Sequence, residues 1–283
     1  MHQSERVGLY IDQANLNASG GFEMDYAVLR EFALRGGARG VHLNVYSSVN
    51  PAKAERDPAW NSRLRAYQAQ IRSLGYHLNL KEAKEYGEGD RLVIKANADV
   101  DIAVDVLENA SKLDRILLVS GDGDFSSLIS AARRQGARVE CLAFDNCSEL
   151  LRGAADAVYP GWIIPELLPA TQTEGDSKNF RWGEPGSRLR GIVQKVDPEN
   201  RIGFVRYVPC FQDADPAFKF SPLSPDTHLV CPFSLDDLPA HHIALLRGAI
   251  LEFSLTESAT MGRDSKIVRI ASRSGWYKPL VDN

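Results

Sequence analysis

Ile116-Leu117-Leu118-Val119-Ser120-Gly121-Asp122-Gly123-Asp124-Phe125 decides how this chain is read. Four apolar residues in a row, bounded by a turn, predict a short strand buried on both faces. Ser120-Gly121-Asp122 ends the run, and a helical pattern follows from Asp124 to Gln135, with Gly136 placed where a helix should stop. Strand, polar turn and helix in that order are the repeating unit of a parallel sheet.

Outward from this stretch the unit recurs. Val7 to Ile11 is an apolar run closed by Asp12, and Val41 to Val45 and Val139 to Ala143 are two more. Helical patterns lie at Asp25 to Arg35, from the cap and first-turn proline Asp57-Pro58 to Leu74, and at Val100 to Ala110, with Gly36-Gly37 and Gly75 at expected helix ends. Residues 1–165 therefore read as an α/β domain, a doubly wound parallel sheet with right-handed crossovers.

Residues 166–186 change character to Pro, Thr, Gly and Ser and read as a linker. In residues 187–274, Leu189 to Val196 and Ile202 to Val208 flank the turn Asp197-Pro198-Glu199-Asn200, a hairpin. Leu229 to Phe233, Ile250 to Leu255 and Lys266 to Ile270 are further strand-like runs, so a small antiparallel barrel is the natural closure. Residues 275–283 form a tail.

Bulk properties limit the function. A chain of 283 residues with 44% hydrophobic and 25% charged residues suits two soluble domains. No apolar stretch approaches a membrane span and the first residues carry no signal pattern, so a cytoplasmic protein without a membrane partner is expected. Cys141, Cys147, Cys210 and Cys231 show no C-x-x-C spacing, which argues against zinc or a disulfide framework. Residues 1–179 hold 20 basic and 25 acidic residues, against 13 and 12 afterwards, so any nucleic-acid grip must come from a local basic rim. No sequence feature decides whether the chain forms a homo-oligomer.

The chemistry is carried by Asp12, Asp99, Asp122 and Asp124. In an open parallel sheet, ligands bind outside the carboxyl ends of the strands near the switch point, and Asp12 and Asp122 both follow strands. Asp99 starts a predicted helix after Leu92-Val93-Ile94-Lys95 and reaches the same edge. Crowded carboxylates repel one another, and a divalent cation resolves the conflict. Magnesium or manganese suits an all-oxygen set, and such a site activates water for phosphodiester cleavage. Asp101 and Asp105 lie four apart on one helical face, so no more than one of them joins the site. The bland alternative is that an aspartate after a strand is only a helix cap, as Asp124 before Phe125 would be. A D-x-D pair also serves phosphatases and nucleotide-binding proteins, but no glycine-rich phosphate loop follows the first strand.

Three segments resemble motifs of the NYN family, the LabA-like branch of PIN-like nucleases. Tyr10-Ile11-Asp12-Gln13-Ala14-Asn15-Leu16 is similar to the family's I-D-x-x-N, Lys95 to Asp105 to its K-x-x-x-D-V-x-x-x-x-D, and Ser120 to Phe125 to its S-G-D-x-D-F. Ala155-Asp156-Ala157-Val158 resembles the closing signature, so the likeness covers residues 5 to 165. It implies RNA cleavage with Mg²⁺ or Mn²⁺ held by Asp12, Asp99, Asp122 and Asp124. Asn15 would orient a water or phosphate, Lys95 would meet the scissile phosphate, and Asp101 and Ser120 are accessory candidates. Gln13 stands where many members have Gly. Some members are known mainly through regulatory roles, so a non-catalytic protein that binds RNA or protein partners is the alternative. Lys81, Lys84, Arg91 and Lys95 supply an expected basic rim around Tyr86 to Asp90, with Arg63 and Arg65 on the preceding helix.

The second domain resembles cold-shock and related OB folds. Gly191 to Val196, Arg201 to Phe204-Val205 and Leu229 to Ser234 stand where that family writes G-x-V-K-W-F, K-G-F-G-F-I and V-F-V-H-F-S. Lys195, Val196, Ile202 and Pro232 replace usual face residues, while Phe204 and Phe233 remain. The resemblance implies single-stranded RNA stacked on Phe204 and Phe233. A core role for these rings is the other reading.

Overall fold

The run at Ile116–Val119 lies in the middle of a six-stranded sheet. The computed structural model describes residues 4–86, 93–95, 98–169, 188–208, 229–238, 248–258 and 262–270, with backbone only at 84–86, 93–95, 188, 255–258 and 262–270. The chain divides into two units, the first comprising Met1–Phe22, Leu29–Ala143 and Cys147–Val158, the second Glu23–Val28, Phe144–Asn146 and Tyr159–Asn283.

In chain order the elements are β1 (Arg6–Asp12), α1 (Gln13–Ser19), α2 (Tyr26–Ala33), β2 (Arg39–Val49), α3 (Pro51–Arg56), α4 (Pro58–Ser73), β3 (His77–Glu82), β4 (Lys84–Tyr86), β5 (Val93–Lys95) and α5 (Asp99–Asn109). There follow β6 (Arg115–Val119), α6 (Ser126–Arg134), β7 (Arg138–Ala143), α7 (Glu149–Ala154) and β8 (Ala157–Pro160). The sheet order is β3-β2-β1-β6-β7-β8, and the pairs β1–β2, β2–β3, β1–β6 and β6–β7 are all parallel. From β1 the chain builds outward through β2 and β3, then returns to the other side of β1 as β6. The switch point therefore lies between β1 and β6, where ligands of such sheets bind.

Burial explains why these runs are strands. Every residue of β6 is buried, as are all but the first of β1 and of β7, the pattern of strands covered on both faces. β3 sits at the sheet edge and mixes exposed with half-buried residues, which is why its sequence shows no apolar run. Helix α4 begins as its sequence predicts, with Asp57 accepting the Trp60 amide at 2.9 Å and Pro58 in the first turn. Helix α2 is shorter than the expected Asp25 to Arg35, because Asp25 serves as its cap and accepts the Ala27 amide at 2.8 Å. The helix expected from Asp124 begins at Ser126, preceded by a 3₁₀ turn at Gly123–Phe125.

The amino edge of the sheet is held by ions. Glu140, buried, bonds Arg35 at 2.6 Å, Arg138 at 2.9 Å and Arg115 at 3.4 Å, and Arg115 also reaches Glu5 at 2.9 Å. Burial raises the Glu140 carboxyl, but the guanidiniums of Arg35 and Arg115 outweigh it and hold the group below its ordinary value.

In the second unit, β9 (Arg188–Asp197), β10 (Ile202–Tyr207), β11 (Leu229–Ser234), β12 (Ile250–Ser258) and β13 (Gly262–Ile270) close into a five-stranded barrel, order β10-β11-β13-β12-β9. Its core includes Leu189, Val193, Val205, Tyr207, Phe233 and Phe253. Gly203 is required by close approach: a Cβ there would come within 2.2 Å of the Phe233 ring. Arg190 is buried, pairs with Glu252 at 3.2 Å and donates to the carbonyls of Leu168 at 3.1 Å and Pro169 at 2.6 Å. The expected linker therefore begins later than residue 166, since Leu167 and Leu168 are buried and anchored here; 170–187 and the tail 275–283 lie outside the described residues. Among the described residues, no helix is long and apolar enough to cross a membrane. Cys141 and Cys147 are buried free thiols and Cys231 is buried, while Cys210 lies outside the described residues.

Candidate functional site

Asp12 is the last residue of β1 and also the N-cap of α1, so its carboxylate is fixed from two sides. One oxygen accepts the Asn15 amide at 3.1 Å, and the other accepts the Ser120 hydroxyl at 3.1 Å from the end of β6. Asn15 reciprocates across the switch point by accepting the Gly121 amide at 2.9 Å through its side-chain oxygen. Ser120 also accepts the Asp122 amide at 3.2 Å, so one hydroxyl links both aspartate segments.

Electrostatics disfavour the charged form of Asp12. Asp12 is 5% exposed, and its carboxyl is pushed above the ordinary range, first by burial and further by the charge of Asp122. The donated bonds from Asn15 and Ser120 oppose this without cancelling it. No basic side chain among the described residues is recorded as a hydrogen-bond or ion-pair partner of Asp12.

The other expected acids are placed differently. Asp124 is exposed, and its amide is bonded by the Asp122 carboxylate at 3.0 Å, so Asp122 itself caps the turn. Asp99, half-buried, opens α5. Among the described residues, no three or more His, Cys, Asp or Glu side chains form a group able to hold a metal ion. The structure thus brings Asp12 and Asp122 together and does not gather all four. Asp101 is paired with Lys81 at 2.5 Å on the surface, which takes both the accessory acid and one member of the basic rim into a mutual bond. Arg91 and the side chains of Lys84 and Lys95 lie outside the described residues; the backbone pairs Lys84 with Lys95 across β4 and β5.

Gly123 shows why this turn holds its glycine: a Cβ would come 2.5 Å from the Ser148 hydroxyl oxygen. Ser148 in turn bonds the Gly121 carbonyl at 2.9 Å, so the start of α7 clamps the loop that carries Asp122. Gln13, beside Asp12, donates to the Tyr67 hydroxyl of α4 at 2.5 Å.

One feature was not expected from the sequence. Asp105 accepts the hydroxyl of buried Tyr46, and Tyr46 is the register neighbour of Asp12. Burial pushes both Tyr46 and Tyr10 above the usual phenol range, and the Asp105 charge adds to it. The signal was present in β2, where His42, Asn44 and Tyr46 alternate with Leu43 and Val45, a polar face under a helix.

On the barrel, Phe204 is half-buried and lies in one cross-strand row with Lys195 and Pro232. Phe233 is 2% exposed and belongs to the core, which corrects the expectation that it stacks a base. Strand parity is the reason: Phe233 pairs with inward-facing Gly203, and Phe204 is one residue off.

Comparison with known proteins follows the same boundary. The NYN domain family model matches residues 6–164. Low amplitude and bright protein LabA of Synechococcus elongatus is 29% identical over 159 residues, spanning 53% of this chain and 81% of that protein. A crystal structure of a protein of unknown function from Vibrio parahaemolyticus is 25% identical with a TM-score of 0.46, covering 56% of this chain and 94% of that one. A family match that takes in β1 through β8, and with them Asp12 and Asp122, means that the chain belongs to the NYN domain family, a PIN-like nuclease family.

Proposed function

We propose that the N-terminal unit is a ribonuclease that hydrolyses RNA phosphodiester bonds with Mg²⁺ or Mn²⁺. The observation that carries this reading is the buried Asp12 carboxylate, destabilised by burial and by Asp122 at the switch point of a parallel sheet. The donor set fits a hard cation: it is all oxygen, and magnesium needs only one or two protein carboxylates beside its waters. Asp12 and Asp122 would hold the ion, and Asp99 and Asp124, which the structure does not group with both of them, are the further ligands that the family resemblance implies. When bound, the ion would lower the pKa of a water and offset charge on the phosphate. Ser120 fixes the Asp12 carboxylate, and Asn15 ties the two strand ends so that the acids keep their spacing. Lys95 would meet the scissile phosphate, while Arg91 and Lys84 would grip the strand. The barrel, read as an OB or cold-shock-like fold, would take single-stranded RNA on the face that carries Phe204.

A second reading has one specific observation in its favour. Because the described residues gather no group of three acids, a non-catalytic NYN protein that binds RNA or protein partners also fits. Purified protein incubated with single-stranded RNA, duplex RNA, DNA and a phosphomonoester, with Mg²⁺, Mn²⁺ or chelator, separates the two. The ribonuclease reading expects RNA cleavage that chelator and Asp12→Asn each abolish. RNA bound but left intact under every condition selects the second reading, and cleavage surviving in Asp12→Asn overturns the first.

A further inference from the structure

The interface between α5 and the sheet buries Ile102 and Val106 but also carries several polar groups. By register, Tyr10 pairs with Asn44, Asp12 with Tyr46, Asn44 with His77 and Tyr46 with Asn79, which places these residues on one face. Asp105 meets Tyr46 there, and Lys81 meets Asp101, so this is the face that α5 covers. Two buried atoms in this seam, the Tyr10 hydroxyl and Asn79 Nδ2, have no hydrogen-bond partner among the described residues. Buried polar groups without partners are uncommon and call for an explanation.

Where β2 and β3 begin, the seam opens into a cavity of about 370 Å³ lined by Val41, His42, Asn44, His77, Asp105 and Asn109 among others. Its position at the amino edge separates it from the acidic carboxyl edge. Its volume is in the range of small-molecule sites and far beyond what a single ion fills.

The lining is rich in acceptors. Asn109 donates its amide hydrogens to the Asp105 carbonyl at 2.8 Å, and Asn44 donates its own toward the Tyr46 hydroxyl at 3.4 Å. Asn44 and Asn109 line the cavity together with Asp105, one of whose carboxylate oxygens takes the Tyr46 hydroxyl, and a side-chain amide that donates its hydrogens keeps its oxygen as an acceptor. Among the described residues no lysine or arginine lines the cavity; Asp105 is its carboxylate, and the His42 and His77 imidazoles can each act as donor or acceptor. A carboxylate flanked by two side-chain amides matches an ammonium or guanidinium group.

We propose that this cavity binds a small organic cation, an aliphatic amine or guanidine, independently of any cleavage at the opposite edge. The test uses the full chain without RNA, titrated with agmatine and 1,4-diaminobutane by calorimetry, with 1,4-butanediol and Mg²⁺ alone as controls. The expected result is saturable binding of both amines, accompanied by shifts of the His42 and His77 ring protons. Binding should weaken at least tenfold in Asp105→Asn, which keeps an oxygen for Tyr46, and in Asn109→Leu, and should persist in Asp12→Asn. If Asp105→Asn does not fold, Asn109→Leu decides. Absence of saturable binding to the folded protein overturns the proposal, as does equal binding of butanediol. So does retention in the cavity variants, loss in Asp12→Asn, or displacement of the amine by Mg²⁺. None of these readouts involves RNA or turnover, so the outcome is separate from that of the ribonuclease reading.

Discussion

Ser120 donates its hydroxyl to the Asp12 carboxylate at 3.1 Å, joining the last residue of β1 to the residue that follows β6. Because the same oxygen accepts the Asp122 amide at 3.2 Å, a single side chain sets the spacing of the two acids. Ser120→Ala should therefore weaken Mn²⁺ binding and RNA cleavage by roughly 10–100-fold, the usual scale for groups that orient metal ligands. Losing this buried bond to a carboxylate should also cost about 1–3 kcal/mol of stability, and unchanged manganese affinity by calorimetry would remove Ser120 from this role.

Asp12 yields a prediction about pH. Its carboxyl is raised in the folded state, so folding penalises the charged form. Cation-free protein should lose stability as pH rises from the unfolded value of about 3.9 through the folded one. Asp12→Asn keeps both the cap and the acceptor for Ser120 while removing the charge. In chelator at pH 7 it should melt about 2–4 °C higher than wild type, as a change of roughly 1 kcal/mol does in a domain of this size. The advantage should vanish below pH 4, where both carry a neutral group; a variant that melts lower at pH 7 refutes the burial argument.

Glu140 behaves in the opposite sense. Its folded carboxyl is depressed by Arg35 and Arg115 despite burial, so its contribution is present above the unfolded value of about 4.3 and fades as pH falls through the folded value. Glu140→Gln removes the buried charge that Arg35, Arg115 and Arg138 share, leaving Arg115 its bond to Glu5, and should cost about 3–5 kcal/mol at pH 7. Urea denaturation at pH 7 and at pH 3 should show that cost shrinking in acid.

Gly123→Ala should displace the Asp122 turn, since the added methyl meets Ser148 at 2.5 Å. Cleavage should fall at least tenfold, and Ser148→Gly in the same chain should recover most of it, a glycine cap costing only a few tenths of a kcal/mol relative to serine. Failure of the second change to rescue would show that crowding is not the cause.

The barrel separates two phenylalanines. Phe233→Ala removes a core ring and should cost about 3–5 kcal/mol of barrel stability. Phe204→Ala, on the half-buried outer row, should leave the melting curve nearly intact and weaken single-stranded RNA binding by about 1–3 kcal/mol in a fluorescence titration. Equal affinity with a folded barrel takes RNA off this face.

Much of the fold was legible because the central strands are apolar end to end: β1, β6 and β7 announce themselves as runs, and Asp12 and Asp122 sit where those runs stop. β3 was not, since an edge strand alternates and His77-Leu78-Asn79-Leu80-Lys81-Glu82 has no continuous run to detect. Helix α1 escaped because Asp12 serves as both strand end and cap, leaving no separate start signal. The acids on α5 show the limit most clearly. Spacing alone places Asp101 and Asp105 on one face, yet Asp101 meets Lys81 at the surface while Asp105 meets Tyr46 inside, a distinction that only the packing of the helix on the sheet supplies. Likewise Phe204 and Phe233 are equal as letters, and only the barrel register assigns one to solvent and the other to the core.

The contact of Gly203 with the Phe233 ring has a consequence for inheritance. A Cβ 2.2 Å from that ring has nowhere to go, so neither position can drift alone. Descendants that enlarge residue 203 must shrink residue 233 in concert, and the two should co-vary as a single unit across diverging barrels of this lineage.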